Sequence, residues 1–279
     1  MLEKAIVSLE RILMFHDPFL MNAMVVGLLL GISAALMSPF LVFNNKSMIA
    51  DGLSHVSFTA IILGYLFSNQ PLLFSIPCVV IVSFLLTLLI EKTAIEADAS
   101  IAAVSAVGLA IGLIIATVMP GFNQSIESLL VGNILTASAD DLIVSVFIVA
   151  VTITFVYTHY WQLIATVFDT SYAKSQGIRT FRMNALINAM MAIFIVVGIR
   201  IVGTLLISSL VVFPALIASR VAQDGKTTLM VSVIASILAV ITGMILSFQI
   251  GWPTGPTIIV VFAMLFIIAM LYSQKQGLE

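Results

Sequence analysis

Nine stretches of this chain are almost wholly apolar and close to the length of a membrane crossing. They run roughly over 20–43, 49–67, 72–90, 100–118, 141–158, 184–199, 202–219, 228–248 and 256–272. A spanning helix needs about 20 such residues. Hydrocarbon offers no partner to backbone N–H and C=O groups, so a crossing segment must satisfy them internally. Periodicity cannot separate buried from lipid-facing helix here, but run length favours spans throughout. Charged residues make up only 9% of the 279 residues and hydrophobic ones 61%, against roughly 25% charged in an ordinary soluble domain. The chain therefore reads as an all-α polytopic membrane protein with eight to nine transmembrane helices. The open count comes from 184–199 and 202–219, which are short and joined only by Arg200-Ile201. They form either a tight hairpin or a kinked re-entrant pair.

The N-terminal segment, 1–18, is too charged for a signal peptide, with Glu3, Lys4, Glu10 and Arg11 breaking any apolar core. Its apolar residues fall at helical spacing, which predicts an interfacial amphipathic helix ended by Asp17-Pro18. A single transmembrane domain follows over 19–273, with a short cytosolic tail over 274–279. The sequence has no basic patch to bind nucleic acid, so none is expected as a partner, and the net charge of −2 adds nothing to that. One cysteine, Cys78, cannot form an internal disulfide and reads as a small packing residue.

Orientation follows from the positive-inside rule. With the N-terminus outside and nine alternating spans, Lys46, Lys92, Lys174, Arg179, Arg182, Arg220, Lys226 and Lys275 fall on the cytoplasmic side. Only Lys4, Arg11 and Arg200 fall outside, and the C-terminus is cytoplasmic. Two connections exceed ordinary loops. The outer one, Met119 to Asp140, holds Asn123, Gln124 and Glu127 but no Lys or Arg, which suits a cation-tolerant or partner-facing entrance. The inner one, His159 to Arg182, contains a stretch, Thr166 to Gln176, that reads as a short helix capped by Gly177. It is either a solvated connector or a helix that passes force from a soluble motor. Gly27/Gly31 and Gly108/Gly112 stand at the four-residue spacing that permits close helix crossing. Pro39, Pro77 and Pro214 are expected to kink their spans, and Pro253 and Pro256 flank a turn at the outer start of the last span.

The chemistry concentrates in Ser47-Met-Ile-Ala-Asp51-Gly-Leu-Ser-His55. Residues four apart share a helix face, so Asp51 and His55 place a carboxylate and an imidazole side by side in a setting where an ionised acid costs about 2.5–3.5 kcal/mol at mid-span. The pair is either half of a divalent-metal site or a structural ion pair at a helix start. Carboxylate plus imidazole suits zinc or manganese. Zinc takes about four ligands, which a symmetry mate would complete with its own Asp and His. Gly52-Leu-Ser54-His55 loosely matches intramembrane serine proteases, but the other histidines, His16 and His159, lie outside or at the edge of the spans. No phosphate-binding loop is present, so this chain does not itself hydrolyse nucleotide through one. An ion-coupled secondary transporter remains a further reading, although no half-to-half repeat is visible.

The chain resembles the membrane permease subunits of bacterial ABC importers for zinc and manganese. Five features carry the likeness, in order: Asp51 and His55 as the Asp-x-x-x-His signature; Gly132-Asn-Ile-Leu135; Phe168-Asp169 through Ala173 to Gly177-Ile178; Val202-Gly203-Thr-Leu-Leu-Ile with Pro214-Ala215 and Ala218; and Pro253-Thr-Gly255-Pro256. Relatives usually carry Arg where Asn44 and Asn45 stand, and Lys46 is the nearest substitute; Ala60 is often Gly. The resemblance implies a homodimer in the bacterial cytoplasmic membrane, a pair of cytosolic ABC ATPases, and an extracytoplasmic metal-binding protein. It implies that Asp51 and His55 line the ion path and that Phe168, Asp169, Ala173, Gly177 and Ile178 dock on the ATPase. Gly203, Pro214, Gly255 and Pro256 are then packing or gating positions. Such a subunit does no chemistry and holds no permanent cofactor; zinc or manganese is cargo, zinc preferred and iron behind both.

Overall fold

A computed structural model of the chain describes residues 18–68, 70–93, 95–118, 134 and 137–276. The amphipathic N-terminal segment, almost all of the 119–140 connection (including Gly132, Asn133 and Leu135) and the last three residues of the tail lie outside the described residues. Among the described residues the structure is helical with no strand: α1 (Pro18–Val42), α2 (Ile49–Phe67), α3 (Pro71–Lys92), α4 (Ala97–Val118), α5 (Ala139–Phe168), α6 (Thr170–Ser175), α7 (Thr180–Val221), α8 (Gly225–Ile250) and α9 (Thr254–Gln276). Eight of these are long and apolar enough to cross a membrane.

The 42-residue α7 resolves the doubt over 184–219. A straight helix of that length would reach about 63 Å, twice the roughly 30 Å hydrocarbon core. It is not straight: Gly203 has φ 80° and ψ 169°, a region open essentially to glycine alone. The chain reverses there, and a Cβ on Gly198 would collide with the Ile207 side chain. The break falls at Gly203, not at the expected Arg200-Ile201. Thus α7 is a first arm over 180–202 and a second over 204–221, and the described helices divide into nine candidate crossings.

The second arm carries Pro214, whose ring and missing N–H disturb the ladder one turn to its N-terminal side. Ser38 of α1 repairs the neighbouring rung. Its hydroxyl donates to the Val211 carbonyl and accepts the Ala215 amide at 3.0 Å, so one side chain stands in for a lost i→i+4 bond. Ser232 of α8 donates to the Pro214 carbonyl at 3.2 Å. Elsewhere buried hydroxyls bond back to their own helices, as Ser57 does to Leu53 and Thr166 to Gln162, the economical solution where no water is at hand.

Helices α1, α2 and α7 form the inside of the bundle, 67%, 72% and 72% buried over their most apolar windows, against 22–39% for α3, α4, α5, α8 and α9. Small residues set the closest crossings. Gly108 and Gly112 of α4 lie against Val56, Phe58 and Thr59 of α2, and Gly27 and Gly31 of α1 lie against Val240 and Ser236 of α8. The helix ends sort into two faces. Asn44, Glu91 and Asn184 meet on one, as do Ser47 and Asp98; Gly225 lies there against Tyr160 and Ile164. On the other face Arg200 pairs with Asp141 at 3.9 Å, and Gly64 lies against Pro71.

Two boundaries differ from expectation. The fifth crossing does not stop at 158 but continues to Phe168, because Tyr157, His159, Tyr160 and Trp161 lower local hydropathy without opposing helix. The short helix is therefore Thr170–Ser175, not Thr166–Gln176.

Gly203→Ala should lower unfolding stability by about 1–3 kcal/mol, the cost of forcing a side chain into a strained backbone region. Denaturant unfolding in detergent measures it; an unmoved midpoint would show that the reversal does not depend on glycine.

Candidate functional site

Asp51 and His55 lie in the first two turns of α2, not at its middle. The carboxylate in the first turn faces the positive end of the helix macrodipole, which favours the anion. Asp98, from the start of α4, holds that helix start in place: its Oδ1 accepts the Met48 amide at 3.3 Å and its Oδ2 the Ser47 hydroxyl at 3.2 Å. Both side chains are partly open, 21% for His55 and 44% for Asp51, although Gly52, Leu53, Ser54, Val56 and Ser57 around them are buried.

His55 Nε2 and Asp51 Oδ2 are 3.8 Å apart. That is too long for a hydrogen bond. It is close to the separation of two donors on one ion, about 3.4 Å in a tetrahedral site with bonds near 2.1 Å. His55 Nδ1 is buried with no hydrogen-bond partner among the described residues, so none of them orients the ring from behind. A third group reaches the pair from far along the chain: the Ser208 hydroxyl, on the second arm of α7, lies 3.4 Å from Asp51 Oδ1. No cluster of three or more His, Cys, Asp or Glu exists among the described residues. The described residues therefore set one carboxylate and one imidazole side by side, with a hydroxyl behind the carboxylate. The protease reading fails on geometry, because the buried Ser54 hydroxyl donates to the Asp51 carbonyl at 2.7 Å.

The residues expected at the ATPase dock come together where α5, α6 and the start of α7 follow one another. Phe168 ends α5 and is 74% exposed. Asp169 joins two helices: its amide closes α5 on the Ala165 carbonyl, and its carboxylate caps α6 by accepting the amides of Ser171 at 2.8 Å and Tyr172 at 2.9 Å. Ala173 is fully buried. Gly177 adopts φ 79°, and the Gly177 and Ile178 amides bond to the Lys174 and Ala173 carbonyls, the paired bonds of a glycine-terminated helix. Gly203 and Pro214 sit in α7 as described. Gly255 and Pro256 lie in the first turn of α9, away from Asp51 and His55. Their turn is held by Ser247, which donates to the Trp252 carbonyl at 2.7 Å.

Sequence reasoning missed Ser208 and Asp98, since one hydroxyl and one helix-end acid among many carry no local signal. It also left open the role of Lys46, which is buried between α1 and α2. Burial pushes its ammonium down from 10.5 to about 8, with the nearby Glu91 carboxylate opposing that shift.

The fold and the site define a polytopic helical membrane protein with a carboxylate–imidazole pair at the head of one buried crossing. Residues 16–273 match the ABC 3 transport family, and the chain belongs to it. It is 28% identical over 93% of its length, and 85% of the relative's, to the manganese transport system membrane protein MntB of Synechocystis sp.. It is 24% identical to the high-affinity zinc uptake system membrane protein ZnuB of Haemophilus influenzae, covering 92% of this chain and 98% of that one. The solved PsaBC of Streptococcus pneumoniae in complex with Fab shares the fold, with a TM-score of 0.82 over 93% of this chain and 94% of that one, at 23% identity.

Lys46 binds its proton more weakly folded than unfolded, so between pH about 8 and 10.5 the unfolded chain holds more protons and stability rises with pH. Lys46→Met should abolish that rise in the thermal midpoint of the detergent-solubilised protein. A rise that survives the substitution would assign it to another group.

Proposed function

We propose that the chain is the permease subunit of an ATP-driven importer that carries a divalent transition metal, zinc before manganese, across the bacterial cytoplasmic membrane by alternating access. The observation that carries this is the open 3.8 Å gap between Asp51 Oδ2 and His55 Nε2 in a chain of the ABC 3 transport family. Relatives named for manganese and for zinc transport support the cargo class. Two nitrogen and oxygen donors without a thiolate suit either metal.

The incomplete site fits transit better than storage. A ligating imidazole is ordinarily oriented by a partner on its second nitrogen; His55 has none among the described residues, so its hold on an ion is weaker and release easier. A second copy of this chain would bring two more ligands and complete the site. The charged face, with Lys46, Lys92, Lys174, Arg179, Arg182, Arg220 and Lys226, is cytoplasmic. It receives a pair of cytosolic ABC ATPases at Phe168, Asp169, Ala173, Gly177 and Ile178, while an extracytoplasmic metal-binding protein delivers the ion to the opposite face. Gly203 and Pro214, with Gly255 and Pro256, are the positions where crossings pivot. ATP hydrolysis occurs on the partner, and no cofactor is permanently bound; membrane lipid is the remaining partner.

Asp51→Ala or His55→Ala should abolish zinc and manganese uptake in cells while the protein still inserts and co-purifies with its ATPase; uptake that survives both changes sinks the metal-path role. Asp169→Ala removes the cap of α6, worth about 1 kcal/mol, and Phe168→Ala removes its exposed neighbour. Either should leave ATP hydrolysis running while the metal moved per ATP falls, as read in proteoliposomes. An unaltered ratio would remove this segment from the ATPase dock.

A further inference from the structure

Two asparagines one turn apart, Asn184 and Asn188, stand near the start of α7 and face α3. The Asn184 amide is used at both ends: its Oδ1 accepts Asn44 Nδ2 at 3.1 Å, and its Nδ2 donates to Glu91 Oε1 at 3.0 Å. One turn further along α7, Asn188 Nδ2 donates to Thr87 Oγ1 at 2.9 Å. Thr87 stands one turn before Glu91 on α3, so the contacts form two rungs of one polar seam. Asn188 and Thr87 are buried, and Asn188 Oδ1 has no partner among the described residues. A buried network with an open acceptor is not locked by complete pairing, which is what an element with two working arrangements requires.

The seam stands between the two places that transport has to link. Four residues before Asn184, α7 begins at Thr180, directly after Gly177-Ile178-Arg179 and the short helix α6. On the other side, Asn44 belongs to the elbow between α1 and α2. That elbow is stiff: the amides of Asn45, Lys46 and Ile49 bond to the carbonyls of Val42, Leu41 and Lys46, and Asp98 clamps Ser47 and Met48. Asp51 follows in the next turn. From Asn184 to the metal-binding pair there is one amide–amide hydrogen bond and then a rigid bend.

We propose that Asn184 is the joint through which displacement of the cytosolic segment reaches the helix that carries Asp51 and His55, with Glu91 and Asn44 as its two sockets. This rests on the importer reading above. The polarity of the amide is what the joint needs, because Asn184 must accept from Asn44 and donate to Glu91 at the same time. Asn184→Asp keeps the acceptor and sets a carboxylate against Glu91. Glu91→Gln in that background turns the second bond around, with an amide donor facing the new carboxylate and the net charge restored.

The test is metal moved per ATP hydrolysed by the permease, its ATPase and its binding protein in proteoliposomes, with zinc binding to the permease measured alongside. Asn184→Asp should lower the ratio about tenfold, within the range that residues along a coupling network produce, while ATP hydrolysis and zinc binding stay within about twofold. Adding Glu91→Gln should restore the ratio. If the single variant does not accumulate, Asn44→Ala, which removes only the elbow bond, is read in the same way. A normal ratio in these variants, or a double variant as impaired as the single one, overturns the joint. Asp51→Ala separates the two levels: lost transport there with normal coupling in Asn184→Asp overturns the joint alone, whereas transport that survives Asp51→Ala overturns the metal-path reading beneath it.

Discussion

The reversal of α7 at Gly203 is the constraint on which the rest of the bundle depends. A continuous helix of 42 residues would leave the membrane or lie across it, and its second half could not return to the face it started from. One glycine in a backbone region that other residues avoid converts that rod into two crossings. The return brings Ser208 beside Asp51, residues 157 positions apart in the chain. It also carries Pro214 to α1, where Ser38 replaces the missing rung. Arg200, just before the reversal, pairs with Asp141 on the far face. A surface pair of this kind contributes little stability on its own; its interest is positional, since it marks where the first arm ends.

The candidate site follows from the same economy of polar groups. Inside a bilayer each polar atom must be met by another, and most in this chain are met locally by a hydroxyl turning back on its own helix. Others reach across helices, as Ser38 and Ser232 do to the second arm of α7, and two sets of them involve amides or ionisable side chains: Asp51 and His55 with Ser208, and Asn184 and Asn188 with Glu91, Thr87 and Asn44. Both groups lie beside the elbow between α1 and α2: Asn44 belongs to it and bonds to Asn184, and Asp51 follows it in the first turn of α2. In the first, the donors stand apart with one imidazole nitrogen unmet; in the second, one amide oxygen is unmet. Unpaired buried polar atoms are disfavoured, and among the described residues the hydroxyls of Ser83, Ser100, Thr152 and Ser236 share that condition.

Much of the architecture was legible because the signals are local. The number and order of apolar runs matched the crossings, and the four-residue spacing of Gly108 and Gly112 matched the close contact of α4 with α2. Gly177 after a short polar stretch read correctly as a helix stop, because the left-handed residue belongs to the turn itself. The boundary at 158 was misplaced for an equally plain reason. Hydropathy falls where Tyr157, His159, Tyr160 and Trp161 cluster, but helix continues through aromatic residues that can stand at a membrane edge. The place of the reversal was missed because Arg200 looked like a connector, whereas the break needs glycine.

By itself the sequence determined that this chain is dissolved in lipid as a helical bundle, that a carboxylate and an imidazole share one helix face, and that its motifs follow the order of one transport family. The first two are properties of composition and of the 3.6-residue period, the third is a resemblance between sequences, and none of them depends on what lies across the bundle. Only the tertiary structure decided that Asp51 and His55 stand at a helix start with a 3.8 Å gap between them, that Ser208 backs the carboxylate, and that Asn184 joins residues 140 and 93 positions away. Those pairings depend on the angle and register at which crossings pack. Hydroxyls and amides are spread through every span, and only packing selects which of them meet.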